Sequence, residues 1–176
     1  MIYILSENNQ HKMIYSYDMR NHNILGVWMY ENPLFRDHGI TCRSLAVNER
    51  HKIVAIGGQA CLKGEHKLRP FISIHSIEHG KYPILTTLTF DYLEDSINCL
   101  EFLFLAKRAT LLATDSSKLM VIEYHSHDLK VLQIVKLHEA DINCLSFHRS
   151  DVYTGGDDKS VAKTTLNKRY ASSTGY

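Results

Sequence analysis

Apolar and polar residues alternate along most of the chain in short runs rich in β-branched and aromatic side chains, split by Gly, Asp, Asn, Ser and His. No amphipathic run of helical period and length competes with them. In Lys118–Tyr124, Met120, Ile122 and Tyr124 fall on one side of an extended strand and Val121 and Glu123 on the other, so both faces are largely apolar. One stretch predicts four successive strands: Ile97 to Phe104, Thr110 to Thr114, Lys118 to Tyr124 and Leu129 to Leu137. Asp115-Ser116-Ser117 and Ser126-His127-Asp128 supply turns between them.

The pattern repeats. Ile40-Thr41-Cys42-Arg43-Ser44-Leu45, Ile97-Asn98-Cys99-Leu100-Glu101-Phe102 and Ile142-Asn143-Cys144-Leu145-Ser146-Phe147 share one form, at spacings of about 57 and about 45 residues. An insertion over Gln59 to Pro70 accounts for the longer spacing, and Cys42, Cys99 and Cys144 fall at equivalent places. The first group is incomplete, with about three strands at Met1 to Leu5, Met13 to Tyr17 and Val27 to Tyr30. The last offers Ile142 to Phe147, Val152 to Thr154 and Ser160 to Leu166, followed by a polar tail, Asn167 to Tyr176. The strand groups span approximately 1–37, 38–93, 94–137 and 138–166, with the tail at 167–176.

Composition narrows the function classes. With 176 residues and 44% hydrophobic content the chain is long enough and apolar enough for a packed core. Its 20 Lys and Arg against 19 Asp and Glu give no strong field for phosphate backbones or anionic lipid, so no nucleic acid or membrane partner is expected. The N-terminal apolar run is shorter than a signal-peptide core, and no stretch approaches a spanning helix. Four Cys without short paired spacing then point to reduced thiols in a cytoplasmic or nuclear setting.

His138-Glu139-Ala140-Asp141-Ile142-Asn143-Cys144-Leu145-Ser146-Phe147, followed by Val152-Tyr153-Thr154-Gly155-Gly156-Asp157-Asp158-Lys159-Ser160-Val161, resembles a blade of the WD40-repeat β-propeller family. The resemblance implies an all-β fold, a partial β-propeller of about 3.5 blades, each of four antiparallel strands. It also implies a structural hydrogen-bond set, His138, Thr154 and Asp158, that pins a loop to its blade. The family's Trp-Asp is replaced by Thr164-Thr165 here, and by Tyr124-His125 and His75-Ser76 in the middle repeats, so the blades are degenerate. Ile53-Val54-Ala55-Ile56-Gly57-Gly58-Gln59 followed by Arg69-Pro70-Phe71-Ile72-Ser73-Ile74 also resembles blades of echinoderm-microtubule-associated-like and cilia-associated WD-repeat proteins. That likeness implies tubulin as partner and a cytoskeletal or ciliary location.

Other candidate chemistry gives way to plainer readings. The cysteines read as small side chains packed between sheets, with no C-x-x-C pair to seed a metal site. Gly57 to Gly64 joins glycines to Lys63 in the wrong order for a phosphate loop, and reads as an exposed inter-strand loop. Lys63, Glu65, His66, Lys67 and Arg69 are therefore the candidate partner-binding residues. His125, His127 and Asp128 read as a turn, and no motif places a nucleophile beside them. No catalytic residue, metal or cofactor is expected.

Closed rings of this class are built from about 4 to 8 blades, and this strand count falls short. The shortfall predicts an open arc with two apolar end faces. It also predicts that the chain pairs with a polypeptide completing the propeller, self-associates, or is a piece cut from a longer propeller, the last being favoured. The expected function is a non-catalytic scaffold for protein–protein interactions; the alternative is a microtubule- or axoneme-associated protein.

Overall fold

The computed structural model describes residues 2–7, 12–78, 82–93, 95–103 and 108–166. They form fourteen strands: β1 (Ile2–Glu7), β2 (Lys12–Asp18), β3 (Asn23–Met29), β4 (Phe35–Asn48), β5 (Ile53–Leu62), β6 (Leu68–Ser76), β7 (Ile84–Thr89), β8 (Cys99–Leu103), β9 (Ala109–Thr114), β10 (Lys118–His125), β11 (Asp128–Lys136), β12 (Ile142–His148), β13 (Asp151–Gly156) and β14 (Val161–Thr165). They make four antiparallel sheets in chain order, β1-β2-β3, β4-β5-β6-β7, β8-β9-β10-β11 and β12-β13-β14. The predicted Met1, Phe104 and the tail 167–176 lie outside the described residues.

β1 lies against β4, β4 against β8 and β8 against β12, while the outer strands β7 and β11 also meet. The first strand of each sheet is thus its innermost, and the four sheets stack as successive blades of a partial β-propeller. Short turns permit this. Between β10 and β11 the connection is Ser126 and His127, at φ 50° and 65°, the left-handed pair that a two-residue hairpin of the proper twist requires.

Each core lies between two sheets. Ile14, Tyr30, Phe35 and Phe71 fill the first junction, with Trp28 and Leu5 against them. Ile72, Ile74, Phe90, Leu93, Phe102, Leu111 and Met120 fill the second. Leu103, Leu112, Leu119, Val121 and Val152 fill the third. β10 shows why a period-two sequence suffices: Met120 and Ile122, with Tyr124 beside them, face the second junction, while Val121 faces the third.

Two expectations are corrected here. The stretch Gln59 to Pro70 is mostly not a loop. Gln59 pairs with Pro70, Ala60 with Arg69 and Cys61 with Leu68, so the extra residues lengthen the β5–β6 hairpin. Continuing a ladder satisfies backbone groups that a long loop would leave to solvent. Nor are the three cysteines equivalent. Cys99 pairs with Thr114 and Cys144 with Gly155, whereas the corresponding pair in the second sheet is Ser44 with Gly57. A bulge between Cys42 and Ser44 matches one between Ile142 and Cys144, and Cys42 pairs with Gly58 as Ile142 does with Gly156, so Cys42 corresponds to Ile142. Cys42 is buried in the first junction, but Cys144 is exposed.

The bulge brings backbones together. A Cβ on Gly58 would press into the carbonyl oxygen of Thr41, and one on Gly57 would sit 2.7 Å from both Ile97 Cγ2 and Ser44 Oγ. Ser44 Oγ in turn donates to the Ile97 carbonyl oxygen across the second junction at 3.2 Å. The Gly-Gly pair is therefore a packing requirement of the inner strands.

A buried polar chain locks the first two blades. Tyr30 follows β3 and reaches β6, its hydroxyl 3.0 Å from Ser73 Oγ. Ser73 Oγ is 3.1 Å from His75 Nε2, and His75 Nδ1 is 3.1 Å from the Tyr82 carbonyl oxygen. Asn32 donates to Tyr30 Oη at 3.4 Å and to Thr87 Oγ1 at 3.0 Å. Because Tyr82 offers only a carbonyl, His75 Nδ1 carries a proton and Nε2 of the neutral ring accepts from Ser73. Protons then run in one sense from Asn32 through Tyr30 and Ser73 to His75. Desolvation lowers the His75 pKa, partly opposed by the Tyr82 carbonyl, and burial raises that of Tyr30.

The end sheets differ in the faces they leave uncovered. In the first, Ile4, Tyr15 and Val27 form one cross-strand row and Ser6, Met13 and Met29 the next, with Tyr17 beside Ile24. In the last, the rows are Cys144, Gly155 and Val161; Ser146, Tyr153 and Lys163; His148, Asp151 and Thr165. The expectation of two apolar end faces therefore holds for the first sheet and only in part for the last, where Cys144, Tyr153 and Val161, the last 78% exposed, share the outward positions with polar and charged residues.

Substituting Gly58→Ala should lower unfolding free energy by about 1–3 kcal/mol in a urea titration, because backbone must move to admit the methyl group. The depressed His75 pKa makes its stabilising contribution fully present above the free imidazole value of about 6.5, and lost as pH falls below it. Thermal melts of the wild type between pH 7 and pH 5 should therefore fall more steeply than those of His75→Gln.

Candidate functional site

β11 ends at Lys136, and the backbone N–H groups of Leu137 and His138 both donate to the Ser117 carbonyl, at 3.0 and 3.2 Å. This carries His138 from the outer strand of the third sheet to the start of the fourth. The His138 ring lies over Gly156, where a Cβ would stand 2.8 Å from Nδ1. Glycine is thus needed at the end of β13 for the ring to enter. Asp157, the next residue, donates its N–H to the Asp141 carbonyl at 2.9 Å, closing the loop against the β13–β14 turn.

His138 is buried, its Nε2 is 2.8 Å from Thr154 Oγ1, and its Nδ1 is 3.0 Å from both carboxylate oxygens of Asp158. The structure brings these three residues together. A carboxylate only accepts, so Nδ1 carries the proton toward Asp158, and Nε2 of a neutral ring receives the Thr154 hydroxyl proton. The sequence reading missed Ser160. Its hydroxyl lies 3.0 Å from His138 Nδ1 and donates to Asp158 at 2.6 Å, while its N–H donates to the same carboxylate at 2.9 Å. Asp158-Lys159-Ser160 is a side-chain-capped turn signature that could have revealed it.

Asp158 also accepts from the Glu139 N–H at 3.0 Å, and Asn143 Nδ2 bonds to Asp157 beside it. The hydrogen bonds from Ser160, His138 and the Glu139 backbone hold the Asp158 carboxyl far below the ordinary carboxylate range. Such a carboxylate is a poor base at neutral pH, and the arrangement fixes a loop, with a hydroxyl, an imidazole and a carboxylate satisfying one another.

The candidate partner-binding residues surround the tip of the β5–β6 hairpin. Lys63, His66 and Lys67 are exposed, whereas Glu65 and Arg69 are half-buried. Arg69 holds Glu65 through Nε at 2.7 Å and Nη2 at 3.0 Å, and its Nη1 contacts Asp91. The Lys63 N–H donates to the Leu34 carbonyl at 3.0 Å. Arg69 and Glu65 thus brace the hairpin tip, leaving the side chains of Lys63, His66 and Lys67 facing solvent.

A further polar group lies on the uncovered face of the last sheet. Lys163 Nζ is 2.8 Å from Asp151 and 5.7 Å from the Tyr153 ring centroid, and Thr165 donates to Asp151 at 2.7 Å. Hydrogen bonds from Lys163 and Thr165 lower the Asp151 pKa, and Asp151 raises that of Lys163. His127 Nδ1 lies 3.4 Å from the Tyr124 hydroxyl within the β10–β11 turn. Burial raises the pKa of the Cys99 thiol, which disfavours the thiolate. Among the described residues no group of three or more His, Cys, Asp or Glu could hold a metal ion, and no helix is long and apolar enough to cross a membrane.

Comparison with known proteins supports the architecture. The fold is a partial β-propeller of WD40 type: the chain is similar to the crystal structure of Saccharomyces cerevisiae Sqt1, with a TM-score of 0.58 and 17% identity. The match covers 94% of this chain and 41% of that one, so the chain spans under half of the structure it resembles. No family model matches the chain, and no curated protein matches it.

Replacing Thr154 by Val leaves His138 Nε2 buried without its partner, and should cost about 1–3 kcal/mol of unfolding free energy. Asp158→Asn should also destabilise at neutral pH. The depressed carboxyl pKa means that the wild-type advantage is present above the unfolded carboxylate value of about 3.9, and is lost as pH falls below it. Denaturation series at pH 7, 5 and 3 should show the two proteins converging in acid.

Proposed function

We propose that this chain is a non-catalytic WD-repeat scaffold that holds other proteins within a larger cytoplasmic assembly. The observation carrying this reading is the open stack of four sheets, whose first sheet leaves the rows Ile4, Tyr15, Val27 and Ser6, Met13, Met29 uncovered. An exposed apolar sheet face of this kind marks a protein-contact surface. The one fully hydrogen-bonded set of titratable side chains recognised from sequence, around His138, consumes its polar groups internally, which favours a structural role. The exposed Lys63, His66 and Lys67 offer a second, polar contact area on the hairpin tip.

A narrower reading, association with microtubules or axonemes, draws on the likeness over Ile53–Ile74. Its Gly-Gly pair is needed to pack β5 on β4, which lowers its weight as a binding signature. The scaffold reading is tested by native-size fractionation of cells expressing the chain at endogenous level, with crosslinking and identification of the species bound. Migration well above 40 kDa with other polypeptides attached is the expected result, and migration only as a 20 or 40 kDa species would refute it. Co-sedimentation with microtubules distinguishes the narrower reading.

A further inference from the structure

The second sheet is longer than its neighbours at one end. Gly57 stands where Thr114 and Gly155 stand in the third and fourth sheets. Past that level β5 runs on to Leu62, whereas β9 ends at Thr114 and β13 at Gly156. The pairs Gly58–Phe71 through Cys61–Leu68 on one side, and Ile40–Ala60 and Phe35–Leu62 on the other, make the extension a three-stranded tongue. One of its faces serves the core, with Phe35, Ala60, Phe71 and Leu62 in the first junction. Cys61 and its partner Leu68 alternate with these and belong to the other face.

The turn that ends the tongue is held in one conformation. Gly64 takes φ 89°, the Glu65 N–H donates to the Leu62 carbonyl at 3.1 Å, and the Cys61 thiol donates to the Glu65 carbonyl at 3.0 Å. Arg69 grips Glu65 through two nitrogens, so the one carboxylate of the Lys63–Arg69 segment is neutralised from within. Lys63, His66 and Lys67 remain in solvent, and Leu34 and Leu68 are 51% and 46% exposed. The Lys63 N–H bond to the Leu34 carbonyl sets those two side by side. Leu68 lies across the middle strand from Leu34, roughly 10 Å away at two strand spacings. Single exposed leucines are ordinary on a protein surface, but here two of them flank a cation on a braced support.

We infer that the tongue tip is a docking surface for a short acidic segment of a partner protein that also carries aliphatic side chains. Carboxylates of that segment meet Lys63 and Lys67, and its aliphatic groups cover Leu34 and Leu68. With Glu65 already paired, the charge left at the tip is positive, which selects an anionic partner. The leucines favour a peptide over a nucleic-acid backbone, whose phosphates offer them no apolar contact. Because the turn is fixed beforehand, little conformational freedom is lost there on docking.

The inference rests on the reading of the chain as a scaffold and names the chemistry of one of its partners. Its test uses the full chain at endogenous level in cells, with a photo-crosslinking phenylalanine derivative in place of His66. The same group in place of His127, in the β10–β11 turn at the opposite end of the blades, is the control. After irradiation, mass spectrometry of the attached peptides should show adducts at position 66 at least tenfold above the control, on a segment of net negative charge containing Leu, Ile or Val. Lys63→Glu combined with Lys67→Glu, both at solvent-facing positions, should leave the melting temperature of the purified chain unchanged and cut the adduct at least tenfold. Leu34→Ser combined with Leu68→Ser should cut it at least fivefold, and Lys130→Glu on β11 should change it less than twofold. Adducts no more abundant than the control, adducts to a basic segment or a nucleic acid, or a yield that reversing the two lysines leaves unchanged would overturn the proposal. A chain still found in a heteromeric complex with position 66 unlabelled would remove the docking site and leave the scaffold reading standing; a chain migrating alone at 20 kDa would defeat both.

Discussion

Every strand in the two middle sheets has an apolar side chain on each of its two faces, and that doubling governs the rest of the molecule. A sheet with one apolar face is satisfied by a single neighbour, but a sheet with two must be sandwiched. Ile74 and Met120 meet in one junction, Val121 and Val152 in the next, so a single strand such as β10 serves two cores at once. On the last sheet Lys163, Asp151 and Thr165 form an ion-paired, hydrogen-bonded group on the outward face, beside the exposed Val161.

Polar groups enter the interior only where they satisfy one another. At the first junction Asn32, Tyr30, Ser73 and His75 form a chain with a single sense of proton donation. At the last blade His138, Thr154, Asp158 and Ser160 fix the loop that links outer to inner strand. The two networks do similar mechanical work at different places: the first ties the connector after β3 to the neighbouring blade, the second ties a loop to its own blade. Both are anchored by a buried histidine whose two ring nitrogens are each hydrogen-bonded.

The blade pattern was legible because period-two alternation and turn chemistry are local properties. Strand positions around β9 to β11 and β12 to β14 follow directly from them, and so does the pairing of His138 with Thr154 and Asp158 once the last repeat is compared with the WD40 blades it resembles. Ser160 was missed because its role depends on a turn that folds its hydroxyl back onto Asp158. In the candidate partner-binding hairpin Arg69 and Glu65 carry charge in sequence, but their mutual bond and the contact with Asp91 occupy them in space.

The sequence by itself determined that this chain builds sheets, where its turns fall, and which side chains share a face, since all of these follow from spacing along one strand. Register between strands and the fate of the end faces were decided only by tertiary structure. With a bulge at the same place in both sheets, Cys42 pairs with Gly58 as Ile142 pairs with Gly156, so Cys42 stands in line with Ile142 and not with Cys144, a correspondence fixed by the pairing of β4 with β5. The contrast between an apolar first face and a mixed last face likewise appears only after three strands are laid side by side, when residues distant in sequence become one surface.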